Sequence, residues 1–106
     1  MNFEDFIKSN LRNSYIEEDG MSIYVRKSKR IVNKEVLSFI DIANVVVDEE
    51  VRGKGFFTRF MNRLVDEYSF NIYVESILSP HVERTCKKLG FVRTDPFNLD
   101  MYKLRE

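Results

Sequence analysis

The chain has 106 residues, which is enough for one small domain with a core of its own. Its 17 basic and 17 acidic residues balance to a formal net charge of zero, so no overall field would hold a nucleic acid, although a local basic patch could. One cysteine excludes an internal disulfide, one histidine with one cysteine cannot build a structural zinc site, and no stretch approaches the roughly 20 apolar residues of a membrane span. We therefore expect a single cytoplasmic domain over residues 1–106, with no nucleic acid, metal or membrane partner.

The first half of the chain predicts one helix followed by three strands. Asn2 can cap a helix whose apolar residues recur at helical spacing, namely Phe3, Phe6, Ile7 and Leu11. Asp19-Gly20 is a typical hairpin turn between strands at 14–18 and 21–32, and Asn33-Lys34 predicts a second turn. The apolar run at 36–47 then predicts a central strand that is buried on both faces.

In the second half, two predicted helices alternate with strands. A helical stripe of apolar residues runs between 56 and 68: Phe57, Phe60, Met61, Leu64, Val65 and Tyr68. Residues 70–78 predict a strand, and Ser79-Pro80 predicts the start of a helix that ends at Gly90. Short strands at 91–94 and 97–104 complete the order α-β-β-β-α-β-α-β-β, in which the 36–78 crossover should be parallel.

The strongest chemical signal is Arg52-Gly53-Lys54-Gly55, where the central strand gives way to the amphipathic helix. Glycines let the backbone approach a ligand closely, and the first amides of a helix lie at the positive end of its dipole. Together these features predict a phosphate or pyrophosphate site, to which Arg52, Lys54 and Thr58 would add charge and a hydroxyl donor. The alternative is an ordinary helix start after a flexible turn.

In its context, this segment resembles the pyrophosphate loop of the GNAT superfamily of N-acetyltransferases. The family pattern is Arg or Gln, two residues, Gly, one residue, then Gly or Ala, and it maps onto Arg52, Gly55 and Phe57. Phe57 departs from that pattern. A second family landmark, the Leu-Gly-Phe at the end of the later helix, is present at 89–91. The resemblance covers 38 to 104 and implies an α/β fold with a mixed, mostly antiparallel sheet flanked by helices, truncated at the N-terminus because one short helix precedes it.

The resemblance also implies acetyl-CoA as the co-substrate. Val45 and Val47 would offer backbone groups to the pantetheine arm, and one of their amides would polarise the thioester carbonyl. The pyrophosphate would be held by the amides of a run of residues: Gly53, Lys54, Gly55, Phe56, Phe57 and Thr58. Ser79 falls where many members place an Asn near the cofactor, although an N-cap serine needs no such role. Three basic residues of the helix that starts at Ser79-Pro80 could contact the 3′-phosphate of the cofactor, although a solvated helix face is the default interpretation: Arg84, Lys87 and Lys88.

Three residues are candidates for catalysis. Asp41 stands where some family members place a general base, and a carboxylate in an apolar strand is costly to bury unpaired. The alternative is an aspartate that bonds neighbouring backbone or pairs with an arginine. Glu75, on the next strand, is the reserve base and would act through water. Cys86 occupies the position of the tyrosine that protonates the CoA thiolate in many members; a packed core thiol is the alternative that we favour.

The prediction is therefore an enzyme that transfers acetyl from acetyl-CoA to a primary amine of a protein, peptide or small molecule by direct attack. The alternative is a catalytically weak acyl-CoA-binding or protein-interaction module on the same fold, which the departures at Phe57 and Cys86 favour. The sequence does not identify the amine, although an open acceptor site would suit a protein. The last strands could pair in a homodimer.

Overall fold

The computed structural model describes residues 1–77 and 79–105. The described chain contains three α-helices, a short 3₁₀ turn and six strands, in the predicted order: α1 (Phe3–Lys8), β1 (Asn13–Glu18), β2 (Met21–Val32), β3 (Glu35–Val47), the 3₁₀ turn (Glu49–Val51), α2 (Phe56–Glu67), β4 (Asn71–Val74), α3 (Pro80–Lys88), β5 (Val92–Arg93) and β6 (Met101–Lys103). The predicted fold class is confirmed.

The strands form one sheet in the order β1-β2-β3-β4-β6-β5. β3 and β4 are parallel, as the intervening helix α2 requires, and the other neighbours are antiparallel. The predicted turn at Asp19-Gly20 joins β1 to β2, and both of its residues have positive φ. β2 and β3 are the longest strands, with 12 and 13 residues, so their hairpin extends beyond the rest of the sheet.

All three helices pack against one face of the sheet, which we call the helix face. Their buried residues join those of β1 to β4 in one apolar cluster: Phe3, Phe6, Ile16, Ile23, Val25, Ile40, Ile42, Phe57, Phe60, Met61, Leu64, Ile72, Val74 and Cys86. The other face, which we call the open face, carries side chains such as Arg26, Asp41 and Tyr73, and Asp41 lies opposite the other two in the strand register.

Local chemistry explains where α1 begins and ends. The Asn2 side chain accepts a hydrogen bond from the Asp5 amide at 2.8 Å, as an N-cap does, and α1 ends by Ser9 instead of continuing to Leu11. The Phe3 ring meets the Phe60 ring edge-on, with centroids 5.8 Å apart. This contact fixes α1 against α2.

The later strands are shorter than predicted. β4 covers Asn71–Val74 where 70–78 was expected, and Leu78 lies outside the described residues. The segment predicted as a strand from 97 instead begins as a loop, because the Phe97 amide donates to Asp95 Oδ1 at 2.7 Å in a side-chain turn. Phe97 is consequently 97% exposed. In the described part of the chain, no helix is long and apolar enough to span a bilayer.

Candidate functional site

A β-bulge at Ala43 lies next to the point where β3 and β4 separate. Val25 of β2 pairs with Ile42, whereas Tyr24 pairs with Asn44, so Ala43 is the extra residue. The Glu75 amide donates to the Ile42 carbonyl at 3.0 Å, and this is the last hydrogen bond of the described residues between β3 and the end of β4. Beyond it, the Ile77 amide donates to the Leu99 carbonyl at 3.0 Å, on the other side. A gap therefore opens beside the last residues of β3.

The bulge also sets which backbone groups face this gap. The N–H and C=O of one strand residue point the same way, and consecutive residues alternate. The backbone groups of Ile42 point toward β4. Because of the extra residue, the backbone groups of Asn44 and Val46 point toward β2, and those of Val45 and Val47 point into the gap. Consistent with this phase, the Val47 carbonyl accepts a hydrogen bond from Arg52 Nε at 3.1 Å. Both predicted pantetheine-binding positions thus lie on an edge that pairs with no strand of the described residues.

The start of α2 carries no compensating negative group. Gly55 is the N-cap and, like Gly53, has a φ near +77° that favours glycine: 78° and 76°, respectively. No side chain caps this helix and no acid lies in its first turn. The first intrahelical bond runs from the Arg59 amide to the Gly55 carbonyl at 3.0 Å, so the amides of 56–58 have no acceptor within the helix. An anion would complete this helix end.

A cleft of about 590 Å³ joins this helix end to the open edge of β3. Eight of the ten predicted cofactor residues line it, together with Val51, His81 and Val82: Val45, Val47, Arg52, Gly53, Gly55, Phe56, Phe57 and Ser79. Lys54 is exposed outside its wall. Phe57 is 6% exposed, so its bulk packs into the core beneath the cleft. Ser79 also caps α3, because its side chain accepts a bond from the Val82 amide at 3.4 Å.

A second groove, of about 280 Å³, runs between α2 and α3 and meets the first at His81. It contains Thr58, whose hydroxyl lies 3.3 Å from that of Thr85. Arg84 and Lys88 supply its positive charge. Lys87, the third predicted base, instead pairs with Glu83 at 3.1 Å.

Asp41 lies at the centre of a charged cluster on the open face, formed by Arg26, Arg30, Asp41 and Glu75, which we call the arginine–carboxylate cluster. Asp41 is 1% exposed. Its Oδ1 accepts from Ser28 Oγ at 2.7 Å, and its Oδ2 accepts from Arg30 Nη2 at 2.7 Å, with Arg26 Nε at 3.6 Å. Both oxygens are occupied, which favours the arginine-paired alternative over a free general base.

Glu75 is the more accessible carboxylate of the cluster. It follows β4 at the point where the gap opens, and 23% of its side chain is exposed. Its Oε1 accepts from Arg30 Nη2 at 3.2 Å and forms a short ion pair with Arg26, whereas Oε2 takes part in neither contact. The Arg30 guanidinium lies 3.5 Å from the centre of the Tyr73 ring, which fixes it between the two carboxylates.

Neither Tyr73 nor Cys86 is arranged as a ready proton donor. The Tyr73 hydroxyl donates to Asp100 Oδ2 at 2.6 Å, and burial together with that bond raises its pKa from 10.0 to about 12. Cys86 is 0% exposed and belongs to the core, where desolvation raises the pKa of its thiol from 9.0 to about 11. The thiol lines neither groove, which favours the packed-core alternative.

Sequence reasoning missed the partners of Asp41. Arg26, Ser28 and Arg30 alternate along β2, so they share a face, and this spacing was the available signal. Among residues 1–77 and 79–105, no three His, Cys, Asp or Glu side chains lie close enough to hold a metal ion. The expectation that no metal takes part stays a prediction.

Solved structures of AtaT and of a KacTA–DNA complex are similar to this chain in fold. A variant of the AtaT toxin, bound to the C-terminus of the antitoxin AtaR with or without acetyl-CoA, matches at TM-scores of 0.55 and 0.56 and 16% identity, over 78% of this chain and 57% of that one. The KacTA–DNA complex matches at 0.55 and 13% identity, over 84% of this chain and 63% of that one. The chain thus spans about three-fifths of the length of these structures. No protein-family model and no curated protein matches it.

Proposed function

Because the chain has the fold of the GNAT acetyltransferases, we propose that it transfers an acetyl group from acetyl-CoA to a primary amine by direct attack. The observation that carries this proposal is the uncapped start of α2, which opens into the same cleft as the unpaired edge of β3. One end of the cleft suits a diphosphate and the other suits an extended chain of amides, and acetyl-CoA contains both in that order. The AtaT structure that contains acetyl-CoA supports this choice of co-substrate.

In this proposal the amides of 56–58 and the Arg52 side chain hold the pyrophosphate. The pantetheine arm runs along β3 and exchanges hydrogen bonds with Val45 and Val47, as an added strand would. Arg84 and Lys88 lie in the adjoining groove, where they would meet the 3′-phosphate. Dephospho-CoA should consequently bind more weakly than CoA.

The reaction would take place in the gap between β3 and β4. The amine nitrogen attacks the thioester carbon, the carbon–nitrogen bond forms, and the carbon–sulfur bond breaks. An amide of Val45 or Val47 donates to the carbonyl oxygen, where negative charge develops. The attacking ammonium must first lose a proton, and Glu75 would accept it through water at Oε2, because its hydrogen bonds with Arg26 and Arg30 are both made by Oε1. The nitrogen of the intermediate then loses its second proton to water, and the departing thiolate takes a proton from water.

The acceptor would approach from the open face. Among residues 1–77 and 79–105, the helices pack on the opposite face, so the Glu75 side of the gap is not walled by a helix. Such a site suits an amine on a protein or peptide, and we expect the reaction in the cytoplasm.

A second candidate function is an acyl-CoA-binding module with little catalysis. It is favoured by the two groups at the family's catalytic positions: the Asp41 carboxylate is fully paired and the Cys86 thiol is buried. The two candidates agree on CoA binding and differ only in turnover.

The test combines calorimetric binding of CoA with acetyl-CoA turnover against a panel of primary amines and lysine peptides. Glu75→Gln should lower kcat by roughly 10² to 10⁴, the range for loss of a general base, while CoA affinity stays unchanged. Asp41→Asn is measured beside Glu75→Gln and tests a structural role for Asp41. It removes the charge that pairs with Arg30 and should lower the unfolding free energy by about 3–5 kcal/mol.

The outcomes separate the candidates. CoA binding without turnover on any amine would leave the module as the function. Absence of CoA binding would overturn both. Full turnover in Glu75→Gln would remove Glu75 from the mechanism.

A further inference from the structure

A basic groove lies at the other end of β3, away from the cleft at Val45 and Val47. It has a volume of about 840 Å³. Its floor includes Ile7, Ile40 and Phe70, and its charged lining residues are Arg12, Lys27 and Lys29. We call this feature the basic groove. Because it is separate from the proposed acetyl-CoA site, its role does not depend on acetyl transfer.

The charged side chains that line the groove are all positive. In the described part of the chain no carboxylate lines it, although the whole chain has no net charge. Lys27 is tied to α1, since its Nζ donates to the Ser9 carbonyl at 2.7 Å and lies 4.9 Å from the centre of the Phe6 ring. Arg12 and Lys29 are exposed. These two side chains are therefore placed to receive an anionic partner.

The groove borders an edge of β3 that pairs with no strand of the described residues. β4 begins opposite Phe39, so residues 35–38 of β3 pair only with β2. Ile42 faces β4, and by alternation Val36 and Ser38 face outward. The Ser38 carbonyl is capped by Asn71 Nδ2 at 2.9 Å. An edge of this kind is a template for a further strand.

The side chains beside this edge are apolar. Ile31 and Val36 are direct partners across β2 and β3, and they are 76% and 66% exposed. They share the helix face with the groove floor, because they alternate in phase with Lys29 and Ile40. The surface thus offers backbone hydrogen bonds, apolar contacts and positive charge side by side.

We propose that the basic groove binds an acidic peptide segment of a partner protein, which adds as a strand to the edge of β3 at the backbone groups of Val36 and the N–H of Ser38. Strand addition uses main-chain hydrogen bonds for affinity and alternate side chains for specificity. The apolar side chains of the segment would cover Ile31, Val36 and Phe70. Its carboxylates would reach Arg12 and Lys29. A nucleic acid would satisfy the charge but would leave the strand edge and the apolar floor unused.

The probe is a labelled peptide of about eight residues with blocked ends, long enough for strand addition. Every second residue is Thr, and the residues between them alternate between Val and Glu, so that the apolar and the acidic side chains lie on the same face of the added strand. Its binding is measured by fluorescence anisotropy. Arg12→Glu and Lys29→Glu should each weaken its binding roughly tenfold, because reversing an exposed charge replaces attraction with repulsion. The matched control is Lys87→Glu on α3, which should bind the peptide as the native protein does. Unchanged affinity in Arg12→Glu and Lys29→Glu would overturn the proposal.

Two further variants test the strand pairing itself. N-methylation of all Thr amides, or of all Val and Glu amides, removes the donors from one edge of the peptide only, so one peptide should lose binding while the other keeps it. Equal behaviour of the two peptides would overturn strand addition. Val36→Pro removes an outward-facing N–H and should weaken binding with little change in Tm, since proline is tolerated on a strand edge.

Two competitors are measured in parallel. Tighter binding of an oligothymidylate than of the peptide would identify the groove as a nucleic-acid site and overturn the proposal. So would concentration-dependent sedimentation that Lys29→Glu abolishes, because a second copy could insert its own acidic turn at Glu17–Asp19. A monomer that prefers the peptide supports it.

Discussion

Cys86 is packed between α3 and the sheet, where its thiol is out of contact with solvent and with both grooves. The helical stripe that Cys86 shares with Val82 and Leu89 already favoured this position, because a residue on the apolar stripe faces the core. The family position alone favoured an acid. In a neutral thiol whose ionisation is opposed by desolvation, packing explains the residue without a catalytic role.

The buried thiol predicts a specific pH dependence of stability. Its pKa is about 11 in the folded protein and near 9.0 when the chain unfolds. Above pH 9 the unfolded chain releases a proton that the folded chain keeps, so stability is lost as the pH rises from 9 to about 11. Each pH unit in that window should cost up to about 1.4 kcal/mol.

Cys86→Ala should remove this loss while leaving the pH profile of turnover unchanged. Urea unfolding of both proteins from pH 7 to pH 11 measures the difference. Tyr73, whose pKa is also raised, titrates higher and is common to both proteins, so it cancels in the comparison. A native thiol that reacts rapidly with an alkylating reagent at pH 8, or a Cys86→Ala variant whose turnover loses its basic limb, would contradict a purely packed role.

Asp41 shows what one position in a sequence leaves open. Its apolar neighbours predicted burial correctly, and the need for a partner followed from the cost of burying a charge. The partners themselves lie 11 to 13 residues away on β2, at Arg30 and Ser28. Only the register of β2 against β3, which is regular from Val32 opposite Glu35 to Arg26 opposite Asp41, decides that these side chains meet Asp41.

At the scale of elements, the start of α2 could be predicted because its signals are local. The glycines, the following apolar stripe and the absence of an early acid all lie within a few residues of Gly55. The preceding segment is positioned by a distant contact instead. Gly20, in the β1–β2 turn, accepts the Asp48 amide at 2.9 Å on its carbonyl and lies against Val51. No pattern around Val51 indicates this neighbour.

Gly20 should therefore matter for the cleft as well as for its own turn. A Cβ at Gly20 would lie 2.7 Å from Val51 Cγ2, and φ at this position is +77°. Gly20→Ala should lower the unfolding free energy by more than the roughly 1–2 kcal/mol of left-handed strain. It should also weaken CoA binding, because Val51 lines the cleft.

Gly90→Ala is the matched control. Its φ is +93°, but the nearest atom to an added Cβ is Lys103 Nζ at 3.8 Å, so it adds strain without a clash. It should reduce stability and leave CoA affinity unchanged. The double variant Gly20→Ala, Val51→Ala should recover part of the stability lost in Gly20→Ala, in a cycle followed by urea unfolding. Strict additivity of the two substitutions would show that the contact does not couple the turn to the cleft.

At the scale of the whole molecule, the gap between β3 and β4 connects the two faces of the sheet. The helix face carries the cleft at the start of α2, and the open face carries the arginine–carboxylate cluster. Hydrophobic periodicity predicted the strands and the parallel crossover, but it could not predict the gap. That feature depends on an extra residue at Ala43 and on β4 ending at Val74, where the chain turns toward Leu99.

The alternation of β3 predicts which amides a bound coenzyme protects from hydrogen exchange. In the free protein Val45 and Val47 face the gap, so their amides should exchange quickly, whereas Asn44 and Val46 face β2 and should be protected. Saturating CoA should slow exchange at Val45 and Val47 and leave Asn44 and Val46 unchanged, because the pantetheine arm bonds only the outward edge. Residue-resolved exchange by NMR, with and without CoA, provides the measurement, and the two inward amides serve as internal controls. Slow exchange of the Val45 and Val47 amides without ligand would mean that this edge is already paired. Equal slowing of all four amides on CoA addition would indicate a general stiffening of β3, and not hydrogen bonds to the pantetheine arm.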